Sequence, residues 1–305
     1  MRGVFVRSNF NYCRISTKCL GSIYAYSKNI QNILEKPKIN IDLRLCGLII
    51  KLQLLMSYLE NVGSHHVGAT VMYYNVAAMS EAMGLTQDEV IAKIDAVKTW
   101  KDYEALGNEY LEALGDDTKY FTSVDTGGVD WLWLAMAEYG DDWTGGFDNP
   151  ANVQLDSVKE MLTMQQSWLK SGFAEVSPDG HVDLEAGFQN IMDRNIVSFP
   201  KAMWYMSRFT NYMPDEKGNW YIAKCPVFKE GQKCSVGIGG TGTVVTQQSS
   251  NIELAAEFTC WAKMSEEGEQ HIWDTLGFDV CNTALWSDDA FAHDDNNQYN
   301  QFFIN

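Results

Sequence analysis

From residue 66 onward, strand-like segments of the sequence alternate with amphipathic helical segments. The stretch "ATVMYYN" is β-branched and aromatic, which is typical of a strand, and it ends at Asn75. Three helical segments follow, and the clearest of them begins at Thr99 and ends at Gly115. Strands interleaved with helices of ten or more residues predict an α/β architecture. Because the order of the elements is not a plain doubly wound repeat, it leaves room for two lobes joined by crossing segments.

The distribution of charge divides the chain near residue 65. Residues 1–65 hold nine Lys/Arg against three Asp/Glu, whereas the whole chain has a net charge of −17, and all ten Trp lie after residue 65. We therefore interpret residues 1–65 as an atypical basic segment that is not native to the fold, and residues 66–305 as the folded domain. The acidic balance argues against binding to nucleic acid or to an anionic membrane face, because both need clustered Lys and Arg.

Targeting signals are not visible in the sequence. The first residues, "MRGVFVRSNFNYC", are basic but lack the apolar run of a secretory signal. The apolar stretch 46–59 is short and interrupted by Lys51, so we predict a buried segment there and not a membrane span.

Two further patterns lack the context that their chemistry requires. The stretch "GIGGTG" at 237–242 has the spacing of a dinucleotide fingerprint, but the strand-like "TVVTQQ" follows where a helix N-terminus would have to receive the pyrophosphate. We predict no cofactor, and interpret these glycines as a run that lets backbone approach backbone or a ligand. The seven Cys form neither a disulfide framework nor a zinc pattern, so we predict free thiols, with a Cys225–Cys234 pair as the alternative.

Carboxylates are numerous, but nothing in the sequence shows a pair at the fixed separation that a glycosidase needs. We interpret these residues as a solvated face; they include Glu138, Asp141, Asp142, Asp179, Asp183 and Glu185. The five His accompany neither a nucleophile motif nor the spacing of metal ligands. We therefore expect no catalysis and no metal, and keep a carbohydrate-active enzyme with paired carboxylates as the alternative.

Aromatic residues stand repeatedly at the ends of predicted elements. Trp131 follows a "DTGGVD" turn, Trp204 follows a buried strand, and Tyr73 lies near the end of another strand. Proteins bind sugars by stacking aromatic rings on apolar C–H faces and by aiming polar groups at the hydroxyls. With Asp130, Arg208 and glycine-rich backbone beside them, these aromatics predict a sugar site, and core packing is the alternative for each one.

Residues 67–286 resemble the family 1 extracellular solute-binding proteins of bacterial ABC transporters, a group that includes sugar binders. The resemblance rests on the order and spacing of several stretches, among them "VMYYN", "KTWKDYEAL", "GFQNIMDRNIVSFPKAMWYM" and "CPVFKEGQKCSVGIGGTGTVVTQQSSNIELAAEFTCWAKMSEEGEQ". It implies the type II periplasmic-binding-protein-like fold, with two α/β lobes, a hinge, and a ligand in the interlobe cleft. Residues 66–305 would then be the solute-binding domain.

The resemblance also implies roles for particular positions. Trp204 falls at the family's cleft Trp, the turn from Asp125 to Trp131 at a ligand-facing loop, and 67–69 near a polar cleft position. The expected ligand-binding residues are His66, Gly68, Tyr73, Asp130, Trp131, Trp204, Arg208, Gly239 and Gly240. Around Trp204 we expect Pro200 to break the strand, and in "NIELAAEFTCWAKM" we expect Leu254, Phe258 and Trp261 to face inward.

The function implied is that of a component that binds a mono- or short oligosaccharide and delivers it to an ABC importer permease. The family further implies a monomer that is extracellular, either membrane-anchored or periplasmic. Compared with a full member, the opening part of the N-terminal lobe and the last helices are missing from this sequence. We therefore expect a truncated or frame-disrupted member with an incomplete N-terminal lobe.

Overall fold

The computed structural model describes residues 68–142, 146–239, 243, 245, 248–280, 282, 285 and 297–304. These residues divide into two compact units. Residues 68–239 and the described residues from 272 on form the larger unit, and residues 243–271 belong to the smaller one. The domain boundary predicted at residue 65 lies outside the described residues.

The described part of the chain contains five β-strands and ten α-helices. The strands are β1 (Thr70–Asn75), β2 (Thr122–Val124), β3 (Ala174–Val176), β4 (Ser198–Ala202) and β5 (Trp220–Ala223). The helices are α1 (Val76–Met83), α2 (Gln87–Ala96), α3 (Trp100–Leu114), α4 (Asp130–Tyr139), α5 (Asp156–Ser171), α6 (Glu185–Met192), α7 (Met206–Tyr212), α8 (Ile252–Met264), α9 (Glu266–Leu276) and α10 (Gln298–Phe302). This mixture confirms the predicted α/β architecture. None of these helices is both long enough and apolar enough to span a bilayer.

Several strands of the larger unit end at the same edge, so the loops that follow them lie close together. β1 lies between β4 and β5 and is antiparallel to both, while β2 and β3 pair in parallel. A parallel bridge between Tyr120 and Ile196 shows that β2 and β4 run in the same direction. The carboxyl ends of β2, β3 and β4 therefore meet at one edge, together with the start of β1, where Thr70 pairs with Ala202. We call this edge the carboxyl edge.

Successive side chains of β1 point to opposite faces of the sheet and enter two different apolar clusters. Met72 and Tyr74 enter a cluster formed with α3, α4 and α5, whereas Tyr73 enters a second cluster formed with α7 and α10. Both clusters are rich in aromatic rings, and burying each large side chain contributes about 1.5–3 kcal/mol. The two clusters hold the sheet on both faces, so the carboxyl edge rests on a fixed scaffold.

The caps of α3 confirm the predicted boundaries of this helix. Thr99 accepts a hydrogen bond from the backbone N–H of Asp102, and the carboxylate of Asp102 accepts one in return from the N–H of Thr99. At the other end Gly115 adopts a left-handed conformation with φ of 63°. The helix is thereby fixed in register, with Trp100 and Tyr103 buried in the first apolar cluster.

The prediction that Pro200 breaks the strand is wrong, because β4 continues to Ala202 with Pro200 opposite Met72. The N–H of Met203 donates to the carbonyl of Ala69 at 2.9 Å, and hydrogen-bonded pairs alternate along an antiparallel ladder. Pro200 therefore occupies a non-hydrogen-bonded position, where its missing N–H costs the ladder with β1 nothing.

In the smaller unit, helix α8 has the predicted extent but not the predicted inward face. Leu254 and Phe258 are 59% and 62% exposed, and Trp261 is 36% exposed. Helical spacing shows which side chains share a face, but it does not show what covers that face. In the larger unit, Cys225 and Cys234 are both free thiols, as expected.

Candidate functional site

Four of the predicted site residues meet at the carboxyl edge of the larger unit. Gly68 lies directly before β1, and Asp130 begins helix α4 after the turn that leaves β2. Trp204 lies in the short 3₁₀ turn that follows β4, and Gly239 lies beside it. His66 and Gly240 lie outside the described residues.

Trp204 is partly exposed and is held along its nitrogen edge. Its Nε1 donates a hydrogen bond to the carbonyl of Ile238 at 3.2 Å, and a Cβ added to Gly239 would lie 3.5 Å from the same nitrogen. The ring of Tyr205 contacts it edge-on, with 5.8 Å between centroids. Trp204 is therefore an aromatic surface with a defined orientation, as stacking on a ligand requires.

Gly68 allows two backbone segments to approach closely behind Trp204. Its φ is +64°, and a Cβ there would lie 2.7 Å from the carbonyl oxygen of Ile238. The carboxylate of Asp279 accepts hydrogen bonds from the N–H groups of Gly68 and Ala69 at 3.2 and 2.8 Å. Because any larger residue would separate these segments, glycine is required for the contact that supports Trp204.

A buried ionic cluster lies next to Trp204, and sequence reasoning missed its central residue, Lys201. The side chain of Lys201 projects from β4 and is 2% exposed. Its Nζ lies 2.5 Å from Oδ2 of Asp130 and 2.8 Å from Oδ2 of Asp183. The same nitrogen lies 5.5 Å from the centroid of the Trp204 ring, within the range of a cation–π contact.

His181 joins the loops that follow β2 and β3. Its Nε2 lies 3.7 Å from Asp130 and 3.8 Å from Asp125, and its Nδ1 accepts the backbone N–H of Asp183 at 3.1 Å. A Cβ on Gly128 would lie 2.2 Å from the imidazole, so glycine is needed where the two loops pack.

The charged groups of this cluster change one another's pKa values. Burial raises the pKa of Asp125 to about 6, and His181 and Lys201 limit the rise. Burial also raises the pKa of Asp130, but His181 and Lys201 outweigh it, so the pKa lies below the usual range. Asp130 in turn raises the pKa of His181, although burial and Lys201 oppose this. Asp130 is thus the anion that organises the cluster.

Asp125, Asp130 and His181 also place oxygen and nitrogen atoms within 4.8 Å of one another, as a metal site would. The ammonium group of Lys201 already lies 2.5 Å from Asp130, so a divalent ion would have to share this carboxylate with a cation. The donor set fits an internal ion pair better than a metal, and we assign no metal here.

Other predicted residues lie in the core. Trp131 is 3% exposed and packs against Trp100 and Trp168, with 5.6 Å between centroids in both cases. Tyr73 is completely buried, and its hydroxyl donates to the carbonyl of Ala202 at 3.2 Å. Neither ring is open to a ligand, so we leave both out of the candidate site. Their positions at the ends of predicted elements were the misleading signal, since such ends are also buried.

Arg208 lies in α7, and its guanidinium group lies over the rings of Tyr205 and Phe188, 5.3 and 5.7 Å from their centroids. Arg208 is partly exposed. Because Tyr205 also contacts Trp204, Arg208 borders the aromatic rings that support Trp204. Two carboxylates interpreted as part of a solvated face have internal partners: Asp183 is partly exposed but contacts Lys201, and Glu138 is 4% exposed and contacts Trp100. A lysine inside the apolar run "VSFPKAMW" was the signal in the sequence for a buried partner of this kind.

Comparison with known proteins points to one family. An arabinooligosaccharide-binding protein of Halalkalibacterium halodurans is 35% identical over 241 residues, covering 78% of this chain and 51% of that protein. An arabinooligosaccharide-binding protein of Bacillus subtilis is 35% identical over 244 residues, covering 79% and 52%. Over more than three quarters of its length, the chain is thus similar in sequence to two oligosaccharide-binding proteins. The resemblance predicted from the sequence is confirmed, although no family model matches the chain.

Solved structures of sugar-binding proteins have a similar fold. An ABC transporter-associated binding protein of B. animalis subsp. lactis, in complex with β-1,6-galactobiose, matches with a TM-score of 0.54 and 23% identity, over 75% of this chain and 53% of that one. The sugar-binding protein MalE of Xanthomonas citri matches with a TM-score of 0.56 and 15% identity, over 77% and 56%. These likenesses confirm the type II periplasmic-binding-protein-like fold. The chain spans about half the length of the curated relatives it matches.

Proposed function

We propose that this chain is the sugar-binding component of an ABC importer and that a mono- or short oligosaccharide binds against Trp204 at the carboxyl edge. Binding without catalysis would be its whole activity, and a permease would receive the loaded protein. Following the family, we place the protein outside the cytoplasmic membrane, anchored or periplasmic, and expect it to act as a monomer.

The observation that carries this proposal is the partly exposed ring of Trp204 beside polar and glycine backbone. A pyranose or furanose ring has an apolar C–H face that can stack on an indole, and its hydroxyls need hydrogen-bond partners around the rim. At the carboxyl edge, Trp204 lies next to Gly239 and bonds to the carbonyl of Ile238, against which Gly68 packs. Lys201 contacts both the ring of Trp204 and the carboxylate of Asp183. In open α/β sheets this edge is the usual place for a ligand.

For the identity of the sugar, arabinooligosaccharides are the first candidates. Both curated relatives carry this name, and each is 35% identical to the chain over more than 240 residues. The known structures of similar fold are too distant in sequence to indicate a sugar. We therefore propose a short arabinooligosaccharide as the ligand class.

The geometry at the edge favours binding over hydrolysis. A glycosidase needs one carboxyl group free to donate a proton and a second free to act as nucleophile or base. Asp130 and Asp183 are both within 2.8 Å of the ammonium group of Lys201, which holds them as its ion-pair partners. Asp125 is the carboxylate of this cluster that does not pair with Lys201, so the cluster lacks the second free carboxyl group that hydrolysis would need.

The full chain should be titrated calorimetrically with arabinose, arabinobiose and arabinotriose, with maltose and galactobiose as comparison sugars. We expect saturable binding, tightest for an arabinooligosaccharide, and unchanged sugars after prolonged incubation. Saturable binding of a different sugar would keep the binding function and reject the ligand class. Turnover of any glycoside, or no saturable binding at all, would contradict the proposed function.

A further inference from the structure

A buried lysine at the end of a strand calls for a physical explanation. Moving an ammonium group out of water costs several kcal/mol unless it is paired and hydrogen-bonded. Lys201 is 2% exposed; its Nζ donates a hydrogen bond to Oδ2 of Asp130 at 2.5 Å and forms an ion pair with Oδ2 of Asp183 at 2.8 Å. Its charge is thus compensated by residues that come from the ends of two other chain segments.

The third side of the ammonium group faces the ring of Trp204. Nζ lies 5.5 Å from the ring centroid, and the indole edge is fixed separately by the hydrogen bond to Ile238. A cation over an indole face favours one tilt of the ring, and the preference is stronger where water is excluded. Two contacts of different kinds therefore determine the orientation of Trp204.

We propose that Lys201, held by Asp130 and Asp183, is a positioning residue that fixes the ring of Trp204 and so sets the affinity of the sugar site. This inference rests on the proposed function for its consequence, but not for its geometry. The ion pairs hold Lys201 in place, Lys201 holds one face of the ring, and the ring is ready to stack before a sugar arrives. Preorganisation of this kind improves affinity because less ordering is lost on binding.

Of the two carboxylates, Asp183 is the better one to change. Its side chain is 26% exposed, and one of its oxygens makes no hydrogen bond within the described residues, so Asp183→Asn should fold. The substitution keeps the shape but weakens the hold on Lys201. Asp179→Asn is the matched control, because this aspartate belongs to the same loop and the structure shows no ion pair between it and Lys201.

The orientation of Trp204 can be followed without a sugar. Protein labelled with 5-fluorotryptophan gives one ¹⁹F resonance for each indole, and Trp204→Phe assigns the one that belongs to Trp204. We expect Asp183→Asn to shift or broaden this resonance and to weaken arabinotriose binding about three- to tenfold, the scale of one lost cation–π contact. Asp179→Asn should leave the resonance and the affinity at their wild-type values.

A second variant removes the ion-pair network as a whole. Lys201→Met combined with Asp130→Asn and Asp183→Asn removes all three charges together, so none of them is left buried without its partner. Thermal unfolding shows whether this variant folds. If Asp183→Asn and this folded variant keep the wild-type Trp204 resonance and affinity, the proposal is overturned. If the triple variant does not fold, Asp183→Asn decides the question alone. If the wild type binds no arabinotriose but the resonance moves, the positioning role stands and the proposed ligand fails.

Discussion

Trp204 and Trp131 both come shortly after the end of a strand, but one is partly exposed and the other is buried. Trp204 is partly exposed at the carboxyl edge, with its nitrogen bonded to the backbone of Ile238. Trp131 is 3% exposed and is enclosed by Trp100 and Trp168. The difference lies in the next element: α4 turns Trp131 into the core, whereas the 3₁₀ turn after β4 leaves Trp204 at the rim.

The buried carboxylates repeat this contrast between the edge and the core. At the edge, Asp130 and Asp183 form ion pairs with Lys201. In the core, Glu138 has the indole N–H of Trp100 and the backbone N–H of Phe228 as partners. Burial raises the pKa of Glu138 to about 8, although both hydrogen bonds oppose the rise. The aromatic core thus holds a carboxyl group that stays protonated at neutral pH, whereas Asp130 at the edge has a lowered pKa and pairs with Lys201.

Replacing Trp131 should produce the largest effect. Trp131→Ala removes a ring packed against two other tryptophans, and we expect the free energy of unfolding to fall by about 3–5 kcal/mol. Chemical denaturation monitored by circular dichroism measures this loss. Trp204→Ala is the matched control and should cost less than about 2 kcal/mol, because its ring is partly exposed. Equal losses for the two variants would break the distinction between core and edge.

The second largest expected effect is the contribution of Glu138 to the pH dependence of stability. The folded pKa of about 8 lies above the unfolded value of 4.5, so the folded state holds a proton that the unfolded state has released. The contribution of Glu138 is fully present below pH 4.5 and is lost as the pH rises toward 8. From pH 5 to pH 7, the wild type should therefore lose about 2–3 kcal/mol of stability through this group.

Glu138→Gln should remove that part of the pH dependence, because an amide does not titrate in this range. Urea unfolding of the wild type and the variant at pH 5, 6 and 7 gives the two slopes. If the stability of the variant depends on pH as steeply as that of the wild type, Glu138 is ionised in the folded protein. The contrast between the buried carboxyl group of the core and the paired carboxylates of the edge would then be wrong.

The sequence predicted the architecture better than it predicted the side chains of the site. Capping residues such as Thr99 and Gly115 act locally, so the boundaries of α3 could be read directly. Lys201 could not be placed in this way, because its partners Asp130 and Asp183 are far away along the chain. Likewise, a Trp after a turn has the same local signature whether the next element buries it or exposes it. Only the packing of the loops at the carboxyl edge separates these cases.

The central claim is that Trp204 binds the sugar, and the most direct measurement is the affinity of its alanine variant. Arabinotriose should be titrated into the wild type and Trp204→Ala, with Trp204→Phe as a variant that keeps an aromatic face. We predict that Trp204→Ala weakens binding by about 1–3 kcal/mol, with a smaller loss for Trp204→Phe. Unchanged affinity combined with a lower free energy of unfolding would contradict the claim, since Trp204 would then be only part of the core.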